Sequence, residues 1–195
     1  MIFELRTYDL LPGKALNYLG LFRTGGVHLI TRHLPLAGYW MTESGGLNRI
    51  HHLWAYESLE ERTLCRLAVA KDREWNDQFV PNAFQLVVSQ RNAFLALETS
   101  SKLLDGVVAG RKEAHQQQIE SEPMFGEDWY AIAISAQALP AETPGLVAGF
   151  RTVSGYRPQS HVTLIKASQP DLLMDDHGAP IEHELIRPLA LSPLR

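Results

Sequence analysis

The chain has 195 residues, of which 45% are hydrophobic and 21% charged, with a formal net charge of −4. This composition is typical of a folded globular protein and excludes disorder, collagen and coiled coil. The charge balance is slightly acidic and the sequence contains no cluster of Lys and Arg, so we expect neither nucleic acid nor a membrane surface as a partner.

The beginning of the chain predicts a strand followed by a helix. Residues 2–9 alternate with the period of two that is typical of a β-strand. A Pro-Gly pair ends this pattern, and apolar residues then recur at helical spacing from Ala15 until Pro35, which cannot continue a helix. Gly25–Gly26 predicts a kink within this helix.

The next segment predicts a hairpin, a helix and a last strand. Residues 37–42 and 47–56 are two aromatic-rich strands, and the glycines between them permit a tight turn. Ser58 and Glu61 fit a capping box at the start of a second helix. Residues 84–98 complete the order β-α-β-β-α-β, a ferredoxin-like unit of the α+β class.

The second half of the chain predicts a connector and a shortened repeat. Residues 101–120 have the apolar spacing of a helix, and residues 129–136 alternate as a strand. A weak internal repeat with an offset of 128 relates Phe22–Thr24 to Phe150–Thr152.

These patterns predict three parts of the chain. Residues 1–98 form the ferredoxin-like domain, residues 99–126 a helical connector, and residues 127–195 a degenerate, shortened second copy. The second copy shows no recognisable second helix or final strand. We therefore expect it to cover part of the first sheet without closing a complete barrel, which predicts a homodimer.

Several short motifs characterise the first half: Glu4-x-Arg6-x-Tyr8, Pro12–Lys14, Gly38–Trp40, Gly46–Tyr56, and Arg62 followed by Trp75. Through these motifs the first 98 residues resemble the NIPSNAP family. The resemblance implies the dimeric α/β barrel superfamily, in which two ferredoxin-like sheets pack face to face with helices outside. That superfamily also includes cofactor-independent monooxygenases, but the family name brings no settled biochemical activity.

Strand parity separates the predicted sheet into two faces. The residues of one face suit packing under helices: Phe3, Leu5, Leu53 and Ala55. The other face is too polar and aromatic for open water, which predicts an enclosed cavity between two sheets or an ordinary dimer interface. It carries Glu4, Arg6, Tyr8, Asn48, His52, Trp54 and Tyr56, with either Trp40 or Tyr39 from the second strand.

Within such a cavity, His52 is the only side chain that exchanges a proton near neutral pH, so it is the candidate general acid or base. Arg6 is the candidate stabiliser of an anion or oxyanion. The ligand-binding candidates are Glu4, Tyr8, Trp40, Asn48, Trp54 and Tyr56.

We predict no metal and no cofactor. His51 and His52 are adjacent on a strand and point to opposite faces, so they cannot bind one ion together. Residues 175–177 and 182–184 contain metal-ligand types, but glycine and proline beside them indicate a solvated loop. No glycine-rich phosphate loop precedes a helix.

Two functions remain open on these grounds. The first is a NIPSNAP-like binding or interaction protein whose barrel stabilises an oligomer and holds a small hydrophobic or aromatic ligand. The alternative is a cofactor-independent oxygenase or isomerase that acts on a hydrophobic or aromatic metabolite with His52 as acid or base. Cys65 is the only cysteine, which excludes an intrachain disulfide, and the sequence contains neither a signal-peptide pattern nor a long apolar run; we expect a cytoplasmic protein.

Overall fold

Eight antiparallel strands close into one barrel in the computed structural model, which describes residues 1–174 and 179–195. Around the barrel the strands follow the order β1-β3-β2-β8-β5-β7-β6-β4. Their bounds are β1 Ile2–Leu10, β2 Leu36–Thr42, β3 Arg49–Tyr56, β4 Val87–Ser100, β5 Trp129–Ser135, β6 Leu146–Gly155, β7 His161–Ala167 and β8 Glu182–Pro188.

The helices belong mainly to the first half of the chain. They are α1 Ala15–Leu21, α2 Val27–Ile30, α3 Leu59–Lys71, α4 Val80–Ala83 and α5 Lys102–Ala109. A π-helical turn, Phe22–Gly26, joins α1 to α2 where the glycine pair predicted a kink, and a second one, Trp75–Phe79, precedes α4. Short 3-10 turns occupy Phe84–Leu86 and Pro170–Leu173.

The element order predicted for the first 98 residues agrees with the structure. The helix predicted from Leu59 begins there, and Oγ of Ser58 accepts the Glu61 N–H over 3.1 Å. The predicted third strand is shorter than expected, because Asn48 has a φ of 57° and lies in the turn before β3. The α+β class, with an antiparallel sheet and few helices, is therefore confirmed.

The prediction for the second half was wrong in two respects. The helix expected over residues 101–120 ends at Ala109, and the polar segment after it is held by Arg23, which donates to the backbone carbonyls of Glu120 and Glu122. The final strand that the sequence did not reveal is present as β8. The apolar and polar residues of β8 do not alternate clearly, because charged side chains of this strand point into the barrel.

The barrel also closes within one chain, contrary to the expectation of an incomplete second copy. Strand β8 pairs with β2 and β6 pairs with β4, so the two halves join at both edges. A second copy of the chain is not needed to satisfy the strand edges. The homodimer stays a prediction, but the reason given for it does not hold.

The sequence separated the strand residues of the first sheet into the correct two faces, but the prediction of what covers each face was wrong. Phe3 and Leu5 point into the barrel, where the rings of Phe3 and Phe150 lie 5.1 Å apart. The face with His52 and Trp54 lies under the helices instead of inside the barrel. The interior of this eight-stranded barrel is filled by side chains such as Phe3, Trp40 and Phe150, while the helices cover the other face of the first sheet.

In the described part of the chain, no helix combines the length and the apolar character that crossing a bilayer requires. The cytoplasmic location stays a prediction.

Candidate functional site

A cavity of about 220 Å³ lies between the outer face of the first sheet and the helices that cover it. Strands β1, β2 and β3 form its floor, and α1, α2, α3 and both π-helical turns contribute to its walls. Its lining residues are Arg6, Tyr8, Tyr18, Phe22, Ile30, Tyr39, His52, Trp54, Arg66, Val69, Trp75, Phe84 and Gln90. Arg6 and Arg66 are partly exposed and Gln90 is exposed, and these three side chains mark its mouth.

His52 is held as a neutral hydrogen-bond donor. Burial, with the nearby charges of Arg6 and Arg66, keeps the pKa of its imidazole well below the usual value. The indole Nε1 of Trp54 donates to Nδ1 of His52 over 2.6 Å. Because an indole N–H can only donate, Nδ1 accepts and the proton of the neutral ring is on Nε2. Within the described residues, this buried Nε2–H has no hydrogen-bond partner.

Aromatic rings enclose the imidazole on several sides. The Tyr39 ring stacks on His52 with centroids 5.1 Å apart, and Tyr8 meets His52 edge-on at 4.7 Å. Phe22 stacks in turn on Tyr39 at 4.2 Å. The π-helical turns place Phe22 and Trp75 toward the sheet, in keeping with the frequent occurrence of such turns at functional sites.

A buried carboxylate positions the arginines beside the cavity. Glu4 is fully buried and accepts a bidentate pair from Arg62 at 2.8 and 2.9 Å. Arg6 reaches the same carboxylate at 3.2 Å, Arg66 at 3.3 Å and Asn92 at 2.9 Å. Burial alone would raise the pKa of Glu4, but these donors and charges lower it to about 2. Three guanidinium groups share one carboxylate, which leaves the cluster positively charged.

Four of the predicted site residues line this cavity together: Arg6, Tyr8, His52 and Trp54. Glu4 and Tyr56 are buried next to it, where Glu4 anchors the arginines and burial raises the pKa of the Tyr56 phenol.

Two predicted residues lie elsewhere. Trp40 points into the barrel, where its ring packs 6.0 Å from that of Tyr130, and Tyr39 takes the place expected for it. Asn48 accepts the N–H of Gly13 from its turn, so it shapes a loop and does not contact the cavity.

A second polar cluster lies inside one end of the barrel. Nδ1 of His51 is 2.9 Å from Oγ1 of Thr7, and its Nε2 is 2.7 Å from a carboxylate oxygen of Glu184. Arg49 donates to the other oxygen of Glu184 over 2.6 Å. Burial raises the pKa of Glu184, but the bond from His51 and the further donors lower it to about 2. The cavity beside this cluster is about 20 Å³, room for a single water molecule.

The two histidines point to opposite faces of the sheet, as predicted: His51 lies inside the barrel and His52 lies under the helices. Of the acidic residues considered as metal ligands, Glu184 is engaged by His51 and Arg49, and Glu182 by Tyr156 and Arg157. Residues 175–177 lie outside the described part of the chain.

Comparison with known proteins identifies the family. The NIPSNAP family model matches residues 3–102, more than half of the chain. The chain belongs to the NIPSNAP family. All thirteen cavity-lining residues fall within the matched segment.

The relatives in sequence support this assignment. The chain is 33% identical to human NipSnap homolog 3A over 164 residues, 83% of this chain and 66% of that protein. It is 45% identical to mouse NipSnap homolog 3B over 82 residues, 41% of this chain and 33% of that protein. The chain therefore spans about a third to two thirds of the length of these curated NIPSNAP relatives. The crystal structure of an anthrone oxidase-like protein aligns with 98% of this chain and 92% of its own at a TM-score of 0.55 and 11% identity, which shows a shared fold.

Sequence reasoning missed several residues of the NIPSNAP cavity. Tyr39 was an open alternative to Trp40, and only the register of β2 places it beside His52. Arg66 lies on α3, four residues after the motif residue Arg62 and therefore on the same side of that helix, which is a signal that helical spacing could have provided. Phe22 belonged to the apolar spacing of the first predicted helix, Trp75 was a motif residue with no role assigned to it, and Tyr18 was not singled out.

Proposed function

We propose that this NIPSNAP chain binds a small molecule with a single ring in the cavity between the sheet and the helices. The observation that carries the proposal is the unpaired Nε2–H of His52, a buried donor in an aromatic cavity of about 220 Å³. A buried donor without an acceptor costs free energy, and a bound ligand would supply that acceptor.

The size of the cavity limits the class of ligand. A cavity of roughly 150 Å³ accepts benzene in another protein. A volume of about 220 Å³ therefore suits one six-membered ring with one or two substituents, and excludes fused systems of three rings. Aromatic side chains make up most of the lining, which favours a ligand with an aromatic ring.

The alternative, an oxygenase or isomerase with His52 as acid or base, is less well supported. The Nδ1 lone pair of His52 already accepts from Trp54, and its Nε2 carries a proton. A general base needs a free lone pair within reach of the substrate, whereas this arrangement offers a donor. The catalytic roles predicted for His52 and Arg6 stay predictions, and we assign both residues to binding.

Binding can be tested with single-ring probes of increasing size. Benzyl alcohol, benzoate and benzamide should shift the NMR resonances of the His52 and Trp54 side chains, while anthracene-9-carboxylate should not. The variant Val69→Phe, which adds a ring to the cavity wall, should abolish these shifts. The variant Val88→Phe, at an exposed position on β4, should leave them unchanged.

Two results would contradict the proposal. One is the absence of binding by every single-ring probe at millimolar concentration. The other is equal binding of single-ring and three-ring probes, which would place the ligand on an open surface. The second comparison uses the unaltered chain and therefore remains valid if Val69→Phe fails to fold.

We infer further that the barrel consists of two copies of one ferredoxin-like unit. The matching strand orders support this: the first four strands are arranged β4-β1-β3-β2 and the last four β8-β5-β7-β6. Along its described residues the second copy has the short 3-10 turn Pro170–Leu173 in place of the helices that form the cavity, so it provides the opposite wall of the barrel. Light scattering on the full chain tests the predicted homodimer by distinguishing 21.9 kDa from twice that mass.

A further inference from the structure

Among the described residues, several donors on the lining of the NIPSNAP cavity are unpaired. Within the described chain, three buried N–H groups on lining residues have no hydrogen-bond partner: Nε of Arg6, Nε of Arg66 and Nε2 of His52. No acidic side chain lines the cavity along the described residues. A neutral ligand would leave most of this donor capacity unused, and an unpaired buried donor is costly.

These donors are also close to one another. Arg6 on β1 and His52 on β3 are directly opposite residues of neighbouring antiparallel strands, so their side chains leave the sheet side by side. Arg66 reaches the same region from α3, with its guanidinium 5.9 Å from the centre of the Trp54 ring. Trp54 is the residue that donates to His52.

The charge of the region is not neutralised by the protein. Arg6, Arg62 and Arg66 surround the single carboxylate of Glu4, and Arg62 takes both of its oxygens at the shortest distances. Arg6 and Arg66 are left with the longer contacts of 3.2 and 3.3 Å. Arg6 also donates to Oε1 of Gln90 over 3.1 Å, so the Nε–H groups of Arg6 and Arg66 are the donors left for a second anion.

We propose that the ligand of this cavity is a single-ring carboxylic acid, bound as the carboxylate by Arg6, Arg66 and the Nε2–H of His52. The inference rests on the proposed function and specifies its ligand class. The ring lies among the aromatic side chains that line the cavity, and the carboxylate lies toward the mouth. A planar carboxylate matches the donor geometry of a guanidinium better than a bulkier anion does in this volume.

The test compares benzoate with benzamide, which has the same ring and nearly the same shape but no charge. Titration of the unaltered chain at pH 7 should give an affinity for benzoate at least about tenfold higher, the scale of one charge-assisted hydrogen bond to buried donors. The Nε2–H resonance of His52 should shift on addition of benzoate, because the carboxylate accepts a hydrogen bond from this N–H.

Arg66→Gln is the informative variant, because Arg66 is partly exposed and makes only one long contact with Glu4. It should reduce the preference for benzoate over benzamide to within about threefold. Arg91→Gln is the matched control: Arg91 is similarly exposed but belongs to the barrel side of the sheet. It should leave the preference as it is.

Equal affinities for benzoate and benzamide in the unaltered chain would overturn the carboxylate assignment and leave the binding function standing. Absence of binding by both probes would overturn the binding function as well. Retention of the full preference by a folded Arg66→Gln variant would also contradict the proposal. If that variant does not fold, the ratio of the affinities for benzoate and benzamide and the His52 resonance, both measured on the unaltered chain, still test the proposal.

Discussion

The indole of Trp54 donates its N–H to Nδ1 of His52, two residues earlier on the same strand, over 2.6 Å. Residues two apart on a strand share a face, so this bond is set within β3 and does not depend on the helices. It determines which nitrogen of the imidazole presents a proton to the cavity, and through that the kind of ligand the cavity can hold.

The first prediction concerns this tautomer. In nitrogen NMR spectra near pH 7, His52 should be neutral with its proton on Nε2. Trp54→Phe removes the donor and should give a mixture of tautomers. Trp75→Phe removes another indole of the cavity that makes no bond to His52, and should leave the tautomer unchanged. A proton on Nδ1 of the unaltered chain would contradict the assignment.

The second prediction concerns the carboxylate of Glu4. Glu4→Gln leaves three guanidinium groups around a neutral amide and should lower the free energy of unfolding by about 3 kcal/mol, the cost of breaking a buried ion pair. Glu74→Gln breaks the exposed pair with Arg32 and should cost less than about 1 kcal/mol. Urea denaturation of both variants measures the difference, and equal losses would show that Glu4 is not a structural anchor.

The third prediction concerns acid stability. The pKa values of Glu4 and Glu184 are lowered from 4.5 to about 2 by folding. A group with a lowered pKa stabilises the fold above its unfolded value, and this contribution is lost as the pH falls. Each should therefore contribute on the order of 3 kcal/mol that disappears between about pH 4.5 and pH 2.

Urea unfolding measured across this pH range tests the acid effect. Glu184→Gln should be less stable than the unaltered chain at pH 6 and should lose less stability on acidification. Glu142→Gln, in an exposed turn, should follow the unaltered chain throughout. An unchanged pH slope in Glu184→Gln would mean that the carboxylate is not paired with His51 as the structure shows.

The fourth prediction compares two glycines. A Cβ at Gly38 would lie 1.8 Å from the Trp40 ring, which is fully buried in the barrel. Gly38→Ala should therefore lower the free energy of unfolding by about 2 kcal/mol through overpacking. At Gly106, on the exposed side of α5, a Cβ meets nothing within 4 Å. Gly106→Ala should raise stability by about 0.5 kcal/mol, because alanine is the better helix former. Thermal unfolding distinguishes these opposite signs.

The sequence by itself determined the local structure of the first half and the composition of its faces. The period of two in β1 and β3 places Arg6 with Tyr8, and His52 with Trp54, whatever the tertiary fold is. The same rule separates His51 from His52. These conclusions depend only on the alternation of a strand and on the family motifs, so they agree with the structure.

The tertiary structure decided which face meets which layer, and where the barrel closes. Parity cannot tell whether helices or a second sheet cover a face; that depends on the helices folding back over the face of His52 and on the strands of both halves closing around the face of Phe3. Likewise, Arg66 and Trp75 approach His52 only because α3 and a π-helical turn fold back over the sheet. Glu184 joins His51 from more than a hundred residues away, a contact that no local pattern encodes.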